Sequence, residues 1–409
     1  MLSPAQALSD VLSHCPLLPV EKVVLGKALG RVLARPIRAD RDMPPADRSE
    51  MDGYAVRADD LRATPCELRL VGEIAAGSKL RPRVEPGACV RILTGATVPP
   101  GADSVVMVEN TSEISPTVVQ FRSSAVAGEN ILRRGEIARK GQVLLNKGLR
   151  LGPQQIAVCA AIGADPVGVF GRARVGVLCT GHELVAASAR AARHAQRDSN
   201  GPALRAALQA TGLAQCVVTG VVEDDPNLLR RRVRAALKTC DVLILVGGVS
   251  VGKYDFVPGA LNDVGCRKVF HGVAMKPGKP TLFALGPKRQ LVFGLPGNPL
   301  SALNGFFEFV APALKKMSGL DGALSPRMLV RLRDSVMLQP TGRLRFVPAR
   351  LHFDSPDGVA VAIPIVTRVS ADVAAGGQCD GMLVLSEEKT YPAGALVEFH
   401  PWNLWNAVA

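Results

Sequence analysis

The sequence predicts a multidomain α/β plus β protein: an α/β domain with a parallel sheet, a small inserted β-domain ahead of it, and a closing set of short strands. Three observations carry that expectation. From Arg174 to Met317, apolar β-branched runs alternate with helical patterns, the order of βαβ units. From Leu68 to Val119, short apolar runs are punctuated by glycine and proline, the spacing of a small β-domain. Past residue 326, five more short runs follow.

The first elements read as helical. Ser3-Pro4 is an N-cap with proline at the first helical position, and Ala7, Leu8, Val11 and Leu12 form an apolar face. A second helix is expected over about Val20 to Leu33, ended by Pro36. The segment Asp40–Val56 is polar and dense in aspartates. In it Asp52-Gly53 is a turn signal that leads into a strand. The β-domain runs are Leu68–Ile74, Ala88–Leu93, Ser104–Val108 and Thr117–Phe121, with Thr94–Gly101 as a long turn. Leu151–Ala161 reads as a helix and Pro166–Phe170 as a strand. Pairing that strand with the N-terminal helices makes the β-domain an insertion.

In the α/β stretch a strand ends at Thr180-Gly181, with Glu183 just beyond. Asp198–Asn200 caps a helix that Gly212 ends. Val217–Val222 is a strand, and Asp224-Asp225-Pro226 starts an arginine-rich helix. Asp241–Val246 is a buried-strand run that opens into the glycine-rich turn Gly247–Asp255. Met275–Pro280 is a basic loop too rich in proline for a helix interior. Leu291–Pro299 is a strand and sharp turn, and Leu300, Leu303, Phe306, Phe307, Val310 and Leu314 follow at helical spacing. A linker is expected over Asp321–Pro326. The last strands are Met328–Leu332, Leu344–Leu351, Val359–Ile365, Gly381–Leu385 and Ala395–Phe399, read as antiparallel.

Composition narrows the function. The chain has 409 residues, 47% of them hydrophobic, enough for several cores. No run of about 18 apolar residues occurs, so no membrane span is expected. The N-terminus lacks the pattern of a signal peptide, and a cytoplasmic location is expected. Nine scattered cysteines without a C-x-x-C pair read as small buried residues in a reducing compartment. Six dispersed histidines show no zinc spacing. The net charge of +13 invites a nucleic-acid reading, but aromatics are only 4% and no basic tail occurs. The charge therefore points to anionic small molecules rather than a specific nucleic acid, and Arg230–Arg234 reads as a solvated helix face.

Ligands of open α/β sheets sit at the carboxyl ends of the strands. Glycine turns, helix N-termini and lysines there favour phosphate or another oxyanion. Gly247 to Lys253 matches the first part of a P-loop, but Tyr254 stands where Ser or Thr would hold Mg²⁺. An anion-binding turn of another kind is the better reading. Asp52, Glu183, Asp224 and Asp255 each sit in or beside a turn, where an aspartate is commonly a helix cap, Asp224 most of all. If they converge, they suit Mg²⁺ against phosphates. Spacing leaves both readings open.

Five segments occur in one order: Ser49–Val56, Arg91–Ala96, Gly247–Gly252, Lys276–Pro280 and Gly294–Ser301. In these the chain resembles the molybdopterin molybdenumtransferase family, the MoeA / gephyrin E-domain proteins, over nearly its whole length. The resemblance implies a split elongated domain over 1–40 and 128–171, with an inserted β-domain over 41–127. It further implies a molybdopterin-binding α/β domain over 172–319 and a C-terminal β-barrel over 326–409. It implies a homodimer whose cleft takes residues from both subunits. The implied reaction is Mg²⁺-dependent: adenylylated molybdopterin is hydrolysed, AMP leaves, and molybdate is ligated to the dithiolene sulfurs. Asp52, from the partner, with Thr94, Glu183, Asp224 and Asp255 match the family's catalytic positions. Gly247, Gly248, Ser250, Gly252, Lys276, Lys279, Pro296, Asn298, Pro299 and Arg350 match binding positions. Glu183 and Asp255 are the implied metal ligands. Molybdopterin adenylyltransferase and recipient molybdoenzymes are implied protein partners.

The chain also departs from the family. His182 stands where aspartate is usual, as does Ile137. Arg48 replaces a common asparagine, and Gly272 a lysine of some members. Ala186–Arg193 replaces a proline-glycine turn. These changes make the site more basic, which weakens Mg²⁺ binding while keeping pterin or molybdate binding. A non-catalytic pterin- or molybdate-binding scaffold is thus the rival to an active insertase. The β-domain motifs argue against a third class, the pyridine-nucleotide amidase relatives of the competence-damage-inducible family.

Overall fold

The computed structural model describes residues 1–402 apart from 251, 253, 254, 321, 323–326, 354, 356 and 387–389. The linker expected over Asp321–Pro326, Gly322 excepted, and the pair Lys253 and Tyr254 therefore lie outside the described residues. Two compact units form, one of Met1–Arg35, Gly148–Gly152 and Pro166–Ala409, the other of Pro36–Lys147 and Pro153–Asp165. No helix among the described residues is long and apolar enough to cross a membrane.

The first unit is built on a six-stranded sheet in the order Ala214–Val222, Ala173–Thr180, Val242–Val246, Leu291–Leu295, Leu282–Leu285, Arg267–His271. The first four strands are parallel, as their connecting helices require. The last two pairings are antiparallel, so the sheet is mixed, not wholly parallel as expected. The cause is connection length. Only Gly286–Gln290 separates Leu285 from Leu291, which suffices for a hairpin but not for a crossover. Val242–Val246 is buried throughout, which is why it reads as an unbroken apolar run. One sheet face packs under the helices Pro4–Ser13, Asn200–Thr211 and Pro299–Met317, the other under Pro226–Leu237 and Val257–Asp263.

The N-cap expected at Ser3 forms, and Gln6 completes it as a capping box. Gln6 N donates to Ser3 Oγ at 3.2 Å, and Ser3 N donates to Gln6 Oε1 at 2.9 Å. The helix expected over Val20–Leu33 does not form. Val20–Val23 is a strand antiparallel to Val167–Phe170, followed by one 3-10 turn, Leu25–Lys27. Three valines in Val20–Val24 favour a strand, Gly30 at φ +73° breaks a helix, and the partner strand lies far along the chain. The helix from Pro299 runs to Met317 as its periodicity implies, but widens into a π-turn over Phe306–Val310.

The C-terminal strands close into a five-stranded barrel: Leu344–His352, Val361–Pro364, Met328–Leu332, Leu396–Pro401, Gly381–Leu385 and back to Leu344–His352. They are not all antiparallel, because Met328–Leu332 and Val361–Pro364 pair in parallel. A closed ring of five strands requires this, since alternation of direction fails once around any odd ring. Val330, Leu351, Leu383 and Phe399 fill the barrel interior. Met275–Lys276 adds in parallel to Leu344–Arg345, so the proline-rich loop of the α/β part is hydrogen-bonded to the barrel.

The second unit holds the small β-domain, a six-stranded sheet in the order Ser104–Met107, Gly53–Val56, Ala88–Ile92, Cys66–Ile74, Val118–Phe121, Thr111–Ser115. Its expected strands all form. The helix Pro153–Ala161 belongs to this unit.

Candidate active site

In the first unit, two hollows flank the turn Pro296–Pro299, and Asn298 lines both. The first, about 480 Å³, lies at the carboxyl ends of the parallel strands Ala173–Thr180 and Val242–Val246. Glu183, Asp224 and Asp255 line it with Gly247, Gly248, Asn298 and Pro299, so seven of the fifteen residues singled out by sequence converge here, while Gly252 does not line it.

The local chemistry follows from the turns. Gly247 and Gly248 are both left-handed, at φ +87° and +61°. A Cβ on Gly247 would meet Thr180 O at 2.6 Å, and one on Gly248 would meet Thr180 Oγ1 at 2.9 Å, so only glycine lets this turn lie against the neighbouring strand. Thr180 Oγ1, which lines the cleft, is buried without a hydrogen-bond partner among the described residues. Asp255 Oδ2 accepts from Gly252 N at 2.6 Å, which fixes the far end of the glycine loop. Asp225, not Asp224, caps the helix Pro226–Leu237, accepting from Leu228 N. Asp224 is left to the cleft. Its Oδ2 accepts from His182 N at 3.2 Å and lies 3.3 Å from His182 Nδ1. Ligand atoms of His182, Glu183 and Asp224 come within 4.8 Å of one another, while Asp255 lines the same cleft outside that group.

The second hollow, about 620 Å³, lies between Lys276–Pro280, Pro296–Ser301 and the barrel. Lys276, Lys279 and Pro296 line it as expected, joined by Arg343, Arg345 and Arg368 from the barrel. Arg345 Nε is buried with no partner among the described residues. Asn298 Nδ2 donates to Ser370 Oγ at 2.7 Å, tying the turn to the barrel. Such a cluster of cations around proline-stiffened backbone suits an oxyanion. Arg350 is exposed on Leu344–His352 and Ser250 is exposed beyond Val246, and neither lines these two hollows. Thr180, Arg343, Arg345 and Arg368 were not singled out by sequence. The alternation Arg343-Leu344-Arg345 at a strand start was the one available signal.

Asp52 and Thr94 belong to the second unit and are joined directly. Thr94 donates to Asp52 Oδ1 through its N–H at 2.6 Å and its hydroxyl at 2.7 Å. The backbone N–H foremost, then the hydroxyl, holds the Asp52 carboxyl below the usual carboxylate range. Thr94 lines a hollow of about 630 Å³ whose wall includes Arg48 and Ile137. Two of the departures noted in the sequence thus share one cavity.

Comparison with known proteins gives the family. Residues 2–163 match the MoeA N-terminal region (domain I and II), residues 176–316 the probable molybdopterin binding domain, and residues 330–402 the MoeA C-terminal region (domain IV). A molybdopterin molybdenumtransferase of Nostoc sp. is 36% identical over 339 residues, 81% of this chain and 77% of the relative. That of Bacillus subtilis is 34% identical over 386 residues, 92% of this chain and 89% of the relative. The crystal structure of a molybdopterin biosynthesis MoeA protein from Pyrococcus horikosii superposes with a TM-score of 0.85 at 31% identity, covering 99% of this chain and 100% of that one. The chain therefore belongs to the molybdopterin molybdenumtransferase family.

Proposed function

We propose that the chain is a molybdenum insertase of molybdenum cofactor biosynthesis, which hydrolyses adenylylated molybdopterin, releases AMP and passes molybdate to the dithiolene. Family membership supports the transferase role. The observation that carries the finer reading is the pair of hollows sharing Asn298, one carboxylate-lined and one cationic. A substrate with a phosphoanhydride at one end and a metal oxyanion waiting at the other needs two such compartments side by side.

The donor set fits Mg²⁺. Glu183 and Asp224 offer hard oxygens close together, Asp255 lines the same cleft, and Thr180 Oγ1 beside them has no partner among the described residues. When bound, Mg²⁺ neutralises charge on the phosphates. The chain's own residues do the rest. Gly247 and Gly248 let a phosphate approach backbone, and Lys276, Lys279 and Arg345 hold the oxyanion. Asp52 is kept ionised by Thr94 and, in this reading, acts from a second copy of the chain in a cytoplasmic homodimer. All nine cysteines are unpaired thiols, which accords with a reducing compartment.

One observation favours the scaffold reading: His182 occupies an oxygen of Asp224 that a cation would use. The test mixes purified protein with adenylylated molybdopterin, molybdate and Mg²⁺ and follows AMP and pterin-bound molybdenum. Turnover that chelation abolishes and Mg²⁺ restores is expected. His182→Asp should lower the Mg²⁺ concentration for half-activity by about tenfold, the scale of a change in a metal's surroundings. Tight pterin binding without AMP release, rescued only by His182→Asp with Ile137→Asp, would establish the scaffold instead.

A further inference from the structure

We infer that His400 is a positioning residue: it clamps the barrel wall of the lysine-lined hollow to the helix that starts at Pro299, and so sets how tightly that hollow holds its ligand. His400 lies on Leu396–Pro401 and is 6% exposed. Its Nδ1 is 2.8 Å from Glu308 Oε1, and its Nε2 is 2.9 Å from Glu398 Oε1. With a carboxylate oxygen at each ring nitrogen, the imidazolium, which donates from both, is the form that satisfies both contacts.

The placement gives this pair its consequence. Glu308 is 8% exposed and sits in the π-turn Phe306–Val310, where the helix widens. Such single π-turns recur at functional sites. Phe346 meets the imidazole edge-on, with ring centroids 6.1 Å apart, and Met382 is its cross-strand partner. Phe346 and Met382 both line the hollow that holds Lys276 and Lys279. The His400–Glu308 contact thus stands directly behind that wall and ties it to the helix whose first turn forms the opposite side. Among the described residues, the charged groups around His400 are Glu308 from the helix, Glu398 from its own strand, Arg327 at 3.2 Å from Glu398, Arg345 beside Phe346, and Asp380, whose carboxylate accepts from Leu351 N. Gly381–Leu385 brings no charge.

Burial works to lower the imidazole's pKa, but the hydrogen bonds and charges of Glu308, then Glu398, outweigh it and hold the ring above its ordinary value. The sign follows. Below its ordinary value the clamp is complete. As pH rises through the raised value, the proton leaves, one carboxylate loses its donor, and the wall loosens.

This inference rests on the proposed oxyanion role of the hollow, so the experiment has two independent arms. Trp402 stacks on Phe307 of the π-turn, with centroids 5.2 Å apart at 14°, and reports the joint without substrate. In a Trp405→Phe background, raising the pH from about 6 to about 9 should shift Trp402 emission in one step, the range in which a histidine titrates. His400→Gln should abolish the step. Glu398→Gln, a substitution at a partly exposed position, keeps the Glu308 contact and should move the midpoint down by about one pH unit, as removal of one facing charge does. In the AMP-release assay, His400→Gln should raise KM for molybdate about fivefold, leave kcat within about twofold, and flatten the pH dependence of KM, the pattern of lost positioning. An absent step, or a step that survives His400→Gln, overturns the clamp. So does an unmoved molybdate KM in an enzyme that still turns over. If wild type releases no AMP, the functional reading falls, and the fluorescence step upholds or overturns the clamp without it.

Discussion

Asp225 accepts from Leu228 N and starts the arginine-bearing helix, while Asp224, whose side chain is 17% exposed, faces the cleft and meets His182. The two carboxylates should therefore separate cleanly in experiment. Asp225→Ala should lose about 1 kcal/mol of stability, a typical cost of a lost N-cap, and keep AMP release within about twofold. Asp224→Asn should leave the melting temperature unchanged and cut turnover about 100-fold, the scale of losing one charged group at a reacting centre. Thermal melting and AMP release, measured on the same preparations, check both. The sequence shows Asp-Asp-Pro and a helix start, which is enough to expect a cap but not to say which aspartate makes it. That choice depends on how Ala214–Val222 exits the sheet. The glycines at 247 and 248 were legible because only a strained turn needs two in a row. Arg343, Arg345 and Arg368 were not, because barrel closure, not spacing, brings them to one hollow.

Among the elements, Gly53–Val56 shows how a glycine can matter without an unusual backbone angle. The strand is buried throughout, between Ala88–Ile92 and Ser104–Met107. A Cβ on Gly53 would stand 2.0 Å from Val106 O, a backbone atom that cannot move alone. Gly53→Ala should lower stability by about 2–3 kcal/mol, the upper range for a single substitution that overpacks a core. It should also lower AMP release, because Val108 N donates to Asp52 O at 3.1 Å and the displaced strand carries Asp52 away from Thr94. Differential scanning calorimetry and the turnover assay measure the two effects. In sequence, Asp52-Gly53 announced a turn leading into a strand, but not the close approach of Val106. Strands with local turn punctuation were legible at this scale, to within a few residues. The segment Val20–Leu33 was not, because its strand exists only through Val167–Phe170, far along the chain. The π-turn in Pro299–Met317 was equally hidden, since one widened turn leaves the apolar period nearly unchanged.

For the molecule as a whole, the net charge of +13 has two addresses with different consequences. Five cationic side chains, Lys276, Lys279, Arg343, Arg345 and Arg368, converge on one hollow. Arg231, Arg232 and Arg234 stand exposed on the helix Pro226–Leu237, whose apolar face packs on the sheet. Charges that converge on a concave wall focus their field on a small anion inside it, whereas charges along a convex helix are screened beyond roughly 10 Å at 0.1 M salt. The molybdate KM should therefore rise several-fold between about 50 and 500 mM KCl, with kcat nearly constant, because salt weakens capture and not chemistry. Lys279→Gln should raise KM by about tenfold and flatten that salt dependence, the loss expected for one charge in direct contact with an anion. Arg231→Gln with Arg232→Gln removes a larger charge and should change neither. Steady-state kinetics of AMP release across the salt series decides the matter. If the double arginine variant flattened the curve and Lys279→Gln did not, the anion would be drawn by overall charge, and the hollow beside Asn298 would lose its assigned role.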